Sequence, residues 1–186
     1  MASGESTRDQ IALLRGLRAV RSFRPDPVPE EVVADLLQVA RWTGSAKNMQ
    51  PWELVVIRDR ATLEALAAVE GTAKHVGGAP LGIVLVMNGQ PDRVAQETFD
   101  EGRLSERVLL AAAAHGVGGC IGWLTGRGRD DARALLGIPS GRLVRTVLSL
   151  GYPDEEAQRS RPKPPEARKP LAAMVHRERY GSQSSR

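Results

Sequence analysis

Two apolar runs of strand length limit what this chain can fold into. WELVVIRD, from Trp52 to Asp59, and PLGIVLVM, from Pro80 to Met87, are nearly continuous in apolar side chains. A strand with one wet face alternates apolar and polar positions; one without that alternation is covered on both faces. Both runs are therefore expected inside a layered structure. Two further strands are expected at Cys120 to Leu124 and at LVRTVLSL, Leu143 to Leu150. Helices fill the spaces between them. Ile11, Leu14 and Leu17, with Leu13, repeat at helical spacing and predict a helix over 8–18. Three prolines in RAVRSFRPDPVP then force an extended or looped stretch. Pro29 followed by Glu30 and Glu31 marks a helix start, because acids suit the positive end of the helix dipole. Val32, Val33, Leu36, Leu37 and Ala40 are its buried face, and it runs to about Trp42. A short helix is expected at 60–70, a longer one from Phe99 to His115, and another at 129–137 ended by Gly137. In the longer helix VLLAAAAHG is apolar on nearly all sides, which predicts burial in a core or a subunit interface. The order of elements describes one mixed α/β layer structure.

At 186 residues the chain is long enough for one domain with a substantial core. The expected organisation is a loose lead-in over 1–10 and a single domain over 11–181. Its last part, 153–181, is an arm: residues 153–170 hold five prolines and many charges, and weak helical character returns at 170–179. No apolar run approaches the roughly 18–20 residues that span a bilayer, so no membrane association is expected. The polar start MASGESTRDQ lacks the pattern of a secretion signal. The lone Cys120 cannot form an internal disulfide, so the cytoplasm is the expected compartment. The net charge of +4 comes from arginines scattered among acids, without a basic block interleaved with aromatics. No nucleic-acid partner is expected on that pattern.

Three segments carry possible chemistry. LRAVRSF, residues 17–23, places Arg18 and Arg21 near a helix end. Guanidinium forks match phosphate oxygens, although two solvated arginines on a turn would look the same. TGSAKNMQPW, residues 43–52, joins a helix to a strand with Ser45, Lys47, Asn48 and Gln50 in six residues. Such loops often carry ligand contacts, but a plain connection is also polar. GVGGCIGW, residues 116–123, has a GxGxxG-like spacing in the wrong context. The dinucleotide fingerprint follows a strand and opens a helix, whereas these glycines follow a helix and open a strand. They allow either the close approach of a flat ligand or a helix cap and tight turn. His75, His115 and His176 lie far apart and read as structural. No metal-ligand spacing, nucleophile triad or P-loop is visible, which suits an enzyme whose chemistry belongs to a cofactor.

Together these segments resemble the nitroreductase family. Its first signature, R-R-S-x-R-x-F, falls on L-R-A-V-R-S-F. Its second, A-P-S-x-x-N-x-Q-P-W, is matched at Ser45, Asn48, Gln50, Pro51 and Trp52. LAAAAHGVGGCIGW follows the family's long helix and glycine-rich strand, and LSLGYPDEE with EARKPLAAMVHRERYG follows its G-Y-P strand end and basic arm. The likeness runs from about Gly16 to Tyr180. It implies an α+β fold with a mixed central sheet flanked by helices, assembled as an intertwined homodimer whose C-terminal arms are exchanged between subunits. It also implies FMN at the subunit interface. Arg18 and Arg21 would hold the phosphate beside Ala19 and Val20, with Arg168 as a third cation. Ser45, Ala46 and Asn48 would line the flavin and ribityl chain, with Lys47 and Gln50 in the same loop. Gly122, Trp123 and Leu124 would pass along the ring edge, where the family presents a backbone N–H to the hydride-accepting nitrogen.

Three positions depart from the family pattern. Leu17 stands in place of an arginine and Ala19 in place of a serine, each removing a phosphate-side contact worth about 1.5–3 kcal/mol when charge-assisted. Gly44 stands in place of a proline and is expected to loosen the loop. Lys47 adds a cation that could reach the flavin or an anionic substrate. The family's chemistry is ping-pong: NADH or NADPH gives hydride to the flavin and leaves, and a nitroaromatic, quinone or enone-like acceptor takes its place. At this stage four other readings stay open: a dehalogenase, a flavin-fragmenting relative, a flavin or deazaflavin binding protein without turnover, and a basic DNA-associated protein.

Overall fold

The computed structural model describes residues 4–160 and 168–182. Its centre is the antiparallel pair β2 (Leu81–Met87) and β4 (Leu143–Gly151). β1 (Trp52–Ile57) flanks β2 and β3 (Gly118–Trp123) flanks β4, giving the order β1-β2-β4-β3. Every pairing in the sheet is antiparallel, which corrects the expectation of a mixed sheet. Among the described residues, a parallel contact occurs only at an isolated bridge, Ala19 with Gly119, at the outer edge of β3. The reason lies in the connections. The helix after β1 and a 3-10 turn at Lys74–Gly78 bring the chain back to the end of the sheet where β1 finishes, so Ile57 pairs with Gly82.

Side-chain alternation along β2 divides the core in two. Leu81, Ile83 and Leu85, with Leu148 and Leu150 of β4, pack against α2 (Glu30–Arg41) and α4 (Val94–Ala114). Val84 and Val86, with Val144 and Val147, pack on the other face with α3 (Arg60–Ala68) and α5 (Gly128–Leu136). β2 is buried along its whole length, as its composition requires. β1 is not: it is a sheet edge, and Glu53 and Val56 are exposed within the chain. An apolar run thus identified the strand but not its position in the sheet.

Local signals account for several boundaries. Pro29 caps α2, and Trp42 follows its last turn. Asp59 caps α3 by accepting hydrogen bonds from the Thr62 backbone N–H at 2.8 Å and its hydroxyl at 2.6 Å. The hydroxyl bond first, then the backbone bond, holds the Asp59 carboxyl below the usual range. Gly137 ends α5 in the left-handed region, at φ 65°. α1 (Gly4–Gly16) starts and stops earlier than its apolar spacing suggested, and Ile11 and Leu14 remain about half exposed. The arm contains a short helix, α6 (Glu155–Arg159), capped by Asp154. Residues 161–167 of the arm and 1–3 of the lead-in lie outside the described residues. The helical character expected at 170–179 is reduced to one 3-10 turn at Leu171–Ala173. No helix among the described residues is long and apolar enough to cross a membrane.

The largest boundary error concerns α4, which begins at Val94 rather than Phe99. Its first turns bury acids, not hydrocarbons: Glu97, Asp100 and Glu101 share the inward face with Leu104, Ser105 and Val108. Glu97 accepts hydrogen bonds from the Gly89 and Gln90 N–H groups at 2.8 and 3.4 Å. Glu101, 2% exposed, meets the guanidinium of Arg145 on β4, 7% exposed, at 2.5 Å. Arg145 also donates to the Thr98 hydroxyl at 2.7 Å and lies over the Trp123 ring, 5.4 Å from its centre. A second Glu101 oxygen is buried without a hydrogen-bond partner, so the pair is closely balanced against its desolvation cost. Arg145→Met is therefore expected to lower stability by about 3–5 kcal/mol by stranding a buried carboxylate, whereas Glu101→Leu combined with Arg145→Met recovers most of that loss. Urea unfolding of the three proteins at neutral pH measures both effects.

Candidate functional site

The chain after α1 docks on the open edge of β3. Val20 N–H donates to the Gly119 carbonyl at 2.9 Å, next to the Ala19–Gly119 bridge, and Arg24 N–H donates to Tyr152 at 2.9 Å. An edge strand presents unpaired backbone groups, and this segment covers part of them. Beside the junction opens a cleft of about 690 Å³. Arg15, Arg18, Ala19 and Arg21 form one side. Gly119, Cys120 and Ile121 of β3 line it, Glu106 and Leu109 of α4 contribute, and Arg168 reaches it from the C-terminal arm. Four arginines thus face one carboxylate among the described lining residues. Arg18 donates to the Arg15 and Leu17 carbonyls, both at 2.8 Å, so its guanidinium also covers the end of α1. A guanidinium carries five N–H donors, so those two bonds leave capacity for an anion. The volume is within the roughly 300–1,000 Å³ usual for cofactor pockets.

The second segment singled out by its sequence forms a tight loop elsewhere. Ser45 and Met49 flank a 3-10 turn over Ala46–Asn48. Lys47, Asn48 and Gln50 have φ of 52°, 54° and 46°, three non-glycine residues in the left-handed region within four positions. Each costs on the order of 1–2 kcal/mol relative to ordinary backbone. Internal bonds offset that cost: the Ser45 hydroxyl accepts from Gln50 N–H at 2.8 Å, and the Ser45 and Ala46 carbonyls accept from Asn48 and Met49 N–H at 3.0 and 3.1 Å. These bonds close the loop on itself with Gly44 just before it. Ala46 and Lys47 line a smaller cavity of about 280 Å³ with Met49, Asp92, Arg93 and Gln96.

Gly122 and Trp123 lie at the end of β3 opposite Gly118, and Leu124 follows the strand. Leu124 is fully buried, and its N–H donates to the Arg145 carbonyl at 2.7 Å. Trp123 is 37% exposed, and its N–H donates to the Thr72 hydroxyl at 3.2 Å. Both N–H groups have partners inside the chain. The glycine-rich run serves the chain's own packing: a Cβ on Gly118 would fall 2.5 Å from the Val20 side chain, and one on Gly122 2.9 Å from Ala73. Val20 is accordingly buried against Gly118 and is not among the residues lining the arginine cleft.

Of the residues named from sequence, Arg18, Ala19, Arg21 and Arg168 meet in one cleft. Ser45, Ala46, Lys47, Asn48 and Gln50 share a loop that contributes nothing to that cleft within the chain. Arg15 was missed because it precedes the recognised motif, although it lies one helical turn before Arg18. Cys120 and Ile121 were missed because only the docking of the segment after α1 along β3 brings that stretch of the strand to the cleft. The histidines are elsewhere: His115 pairs with Asp35 at 3.1 Å and His75 with Ser149 at 2.7 Å; His176 lies against the Tyr180 ring.

Residues 14–88 match the model of the Nitroreductase family. A protein named NADH dehydrogenase from Thermus thermophilus is 30% identical over 193 residues, covering 85% of this chain and 90% of that protein. The NADPH-flavin oxidoreductase of Vibrio harveyi is 28% identical over 177 residues, covering 88% and 71%. The solved structure of an FMN-dependent nitroreductase from Clostridium difficile has the same fold, with a TM-score of 0.79 at 23% identity over 91% of this chain and 99% of that one.

Proposed function

Because the chain belongs to the nitroreductase family, we propose that it binds FMN in the arginine cleft and uses NADH or NADPH to reduce nitroaromatic, quinone or enone-like acceptors by a ping-pong sequence. The observation that carries this reading is the convergence of Arg15, Arg18, Arg21 and Arg168 on one cleft with Glu106 as the single carboxylate among its described lining residues. Such a site suits a phosphate dianion. Leu17, in place of the family's first arginine, packs against the core, and Arg15 on the preceding turn supplies a cation to the same cleft. Bound FMN would supply the two-electron chemistry, accepting hydride from the nicotinamide and passing it to the acceptor. The protein's part is to hold the phosphate, fix the ring against the end of β3, and keep the reacting partners aligned.

The site also calls for a second copy of the chain. Ser45, Ala46 and Asn48, which the family would place on the flavin, lie apart from the cleft in their own chain. Apolar surface is left uncovered at Ile11 and Leu14 of α1, Phe99 of α4, and Leu171, Met174 and Tyr180 of the arm. Patches of that kind on a single chain mark association. We therefore read the enzyme as a homodimer in which the loop of one protomer completes the cleft of the other.

The purified full chain is expected to be yellow or to take up added FMN, and to be bleached by NADH, NADPH or both. Arg21→Ala is expected to weaken FMN about 10- to 100-fold, the size of one charge-assisted phosphate contact, while leaving the affinity for riboflavin, which lacks the phosphate, nearly unchanged. Fluorescence titration with the two flavins separates these outcomes, and a chain that binds neither would overturn the assignment. Lys47 is expected to act on the acceptor: Lys47→Met raises KM for a carboxylate-bearing nitroaromatic more than for its neutral counterpart. Equal KM changes for the two acceptors, or none, would remove Lys47 from substrate recognition.

A further inference from the structure

We propose that Asp100 and Arg103 of α4 are positioning residues that set the shape of the ligand loop, with Gly44 as the loop's side of the contact. The inference takes its ligand from the flavin reading above, but its geometry stands independently. The loop holds three non-glycine residues in the left-handed region, at Lys47, Asn48 and Gln50. Its internal bonds close it on itself; beyond them, Arg93 donates to the Met49 sulfur at 2.6 Å, but the backbone just before the left-handed stretch needs its own anchor. Asp100 supplies it: a carboxylate oxygen accepts the Ala46 N–H at 3.2 Å, one residue before the left-handed stretch begins. Asp100 is only 4% exposed, so its charge must be matched by what it touches. Its other oxygen lies 3.8 Å from a guanidinium nitrogen of Arg103, one turn along α4.

Arg103 in turn occupies the space that a side chain at position 44 would need. A Cβ built on Gly44 falls 2.8 Å from the second terminal nitrogen of Arg103. The family pattern places a proline here, and a proline ring would require the end of the Arg103 side chain to shift. Gly44, Asp100 and Arg103 are therefore one unit: the missing side chain admits the cation, the cation lies against the acid, and the acid holds the Ala46 N–H. In the proposed dimer this fixes how Ser45, Ala46 and Asn48 are presented to the flavin, without Asp100 or Arg103 touching it.

Hydrogen exchange of the 43–51 segment in the flavin-free full chain, read by mass spectrometry, tests the tie; FMN titration and the visible circular dichroism of the bound flavin test its consequence. Asp100→Ala is expected to accelerate exchange across the loop, alter the flavin dichroism and raise the Kd for FMN about tenfold, the effect of losing one hydrogen bond to a charged group. Asp100→Asn, whose amide oxygen can still accept the Ala46 N–H, is expected to restore loop protection and return Kd to within about threefold of the parent, since the same contact is kept without its charge. Gly44→Ala is expected to weaken FMN when Arg103 is present and to have little effect in an Arg103→Ala background, the non-additivity of residues in contact. Unchanged loop exchange in Asp100→Ala, an Asp100→Asn protein no better than Asp100→Ala, or equal Gly44→Ala effects in both backgrounds would each overturn the proposal. If Asp100→Ala does not fold, the Gly44 and Arg103 variants decide it. A parent protein that takes up no FMN would defeat the flavin reading, and the exchange measurements would still judge the positioning role.

Discussion

Three buried carboxylates on one face of α4 organise the regions that bear on the site. A carboxylate removed from water has to be met by donors, and Glu97, Asp100 and Glu101 are each met by a different part of the chain. Glu97 takes N–H groups from the turn that follows β2. Asp100 takes the N–H of Ala46 in the loop before β1. Glu101 takes the guanidinium of Arg145 in β4, which in turn lies over Trp123 at the end of β3. Directional bonds from a single helix therefore connect a turn, a loop and two strands. Hydrocarbon packing would bury the same helix but would specify those four positions less sharply, because apolar contact has no preferred direction.

The arginine cleft depends on a different constraint, the exposed edge of an antiparallel sheet. β3 is an outer strand, and the segment after α1 runs along it through the Ala19–Gly119 bridge and the Val20 N–H. Because alternate residues of an extended segment point to opposite sides, Val20 turns inward over Gly118 while its neighbours Ala19 and Arg21 line the cleft. Pairing with the sheet thus converts a short motif into a fixed row of side chains. The small residues at Gly118 and Gly119 are what allow the segment and α4 to approach the strand so closely.

What could be read from sequence follows the same physics. β2 was legible because burial on both faces leaves an unbroken apolar run, and α2 and α5 because Pro29 and Gly137 mark their ends. The start of α4 was not, since a search for apolar periodicity passes over a helix whose inward face carries Glu97, Asp100 and Glu101. Strand direction was hidden because alternating helices and strands are compatible with both parallel and antiparallel sheets until the path of each connection is known. Within the site, Arg18, Arg21 and Arg168 were found through resemblance to a family pattern; nothing local connects residues separated by most of the chain. The strain at Lys47, Asn48 and Gln50 left no trace at all, because no glycine marks those left-handed positions.

The strained loop and the incomplete cleft have a common consequence. A loop held in a costly conformation by contacts within its own protomer is already shaped before a ligand or a second subunit arrives, so less ordering entropy is lost on association. In the proposed dimer the cleft of one protomer supplies the cations and the preformed loop of the other supplies the polar ring contacts. Flavin binding then stabilises the assembled pair over the separate chains, and assembly in turn raises flavin affinity, as linkage requires of any ligand shared between two subunits. Asp100 and Arg103 enter this balance from a distance: by keeping the loop rigid in the free chain, they move part of the cost of building the site from binding into folding.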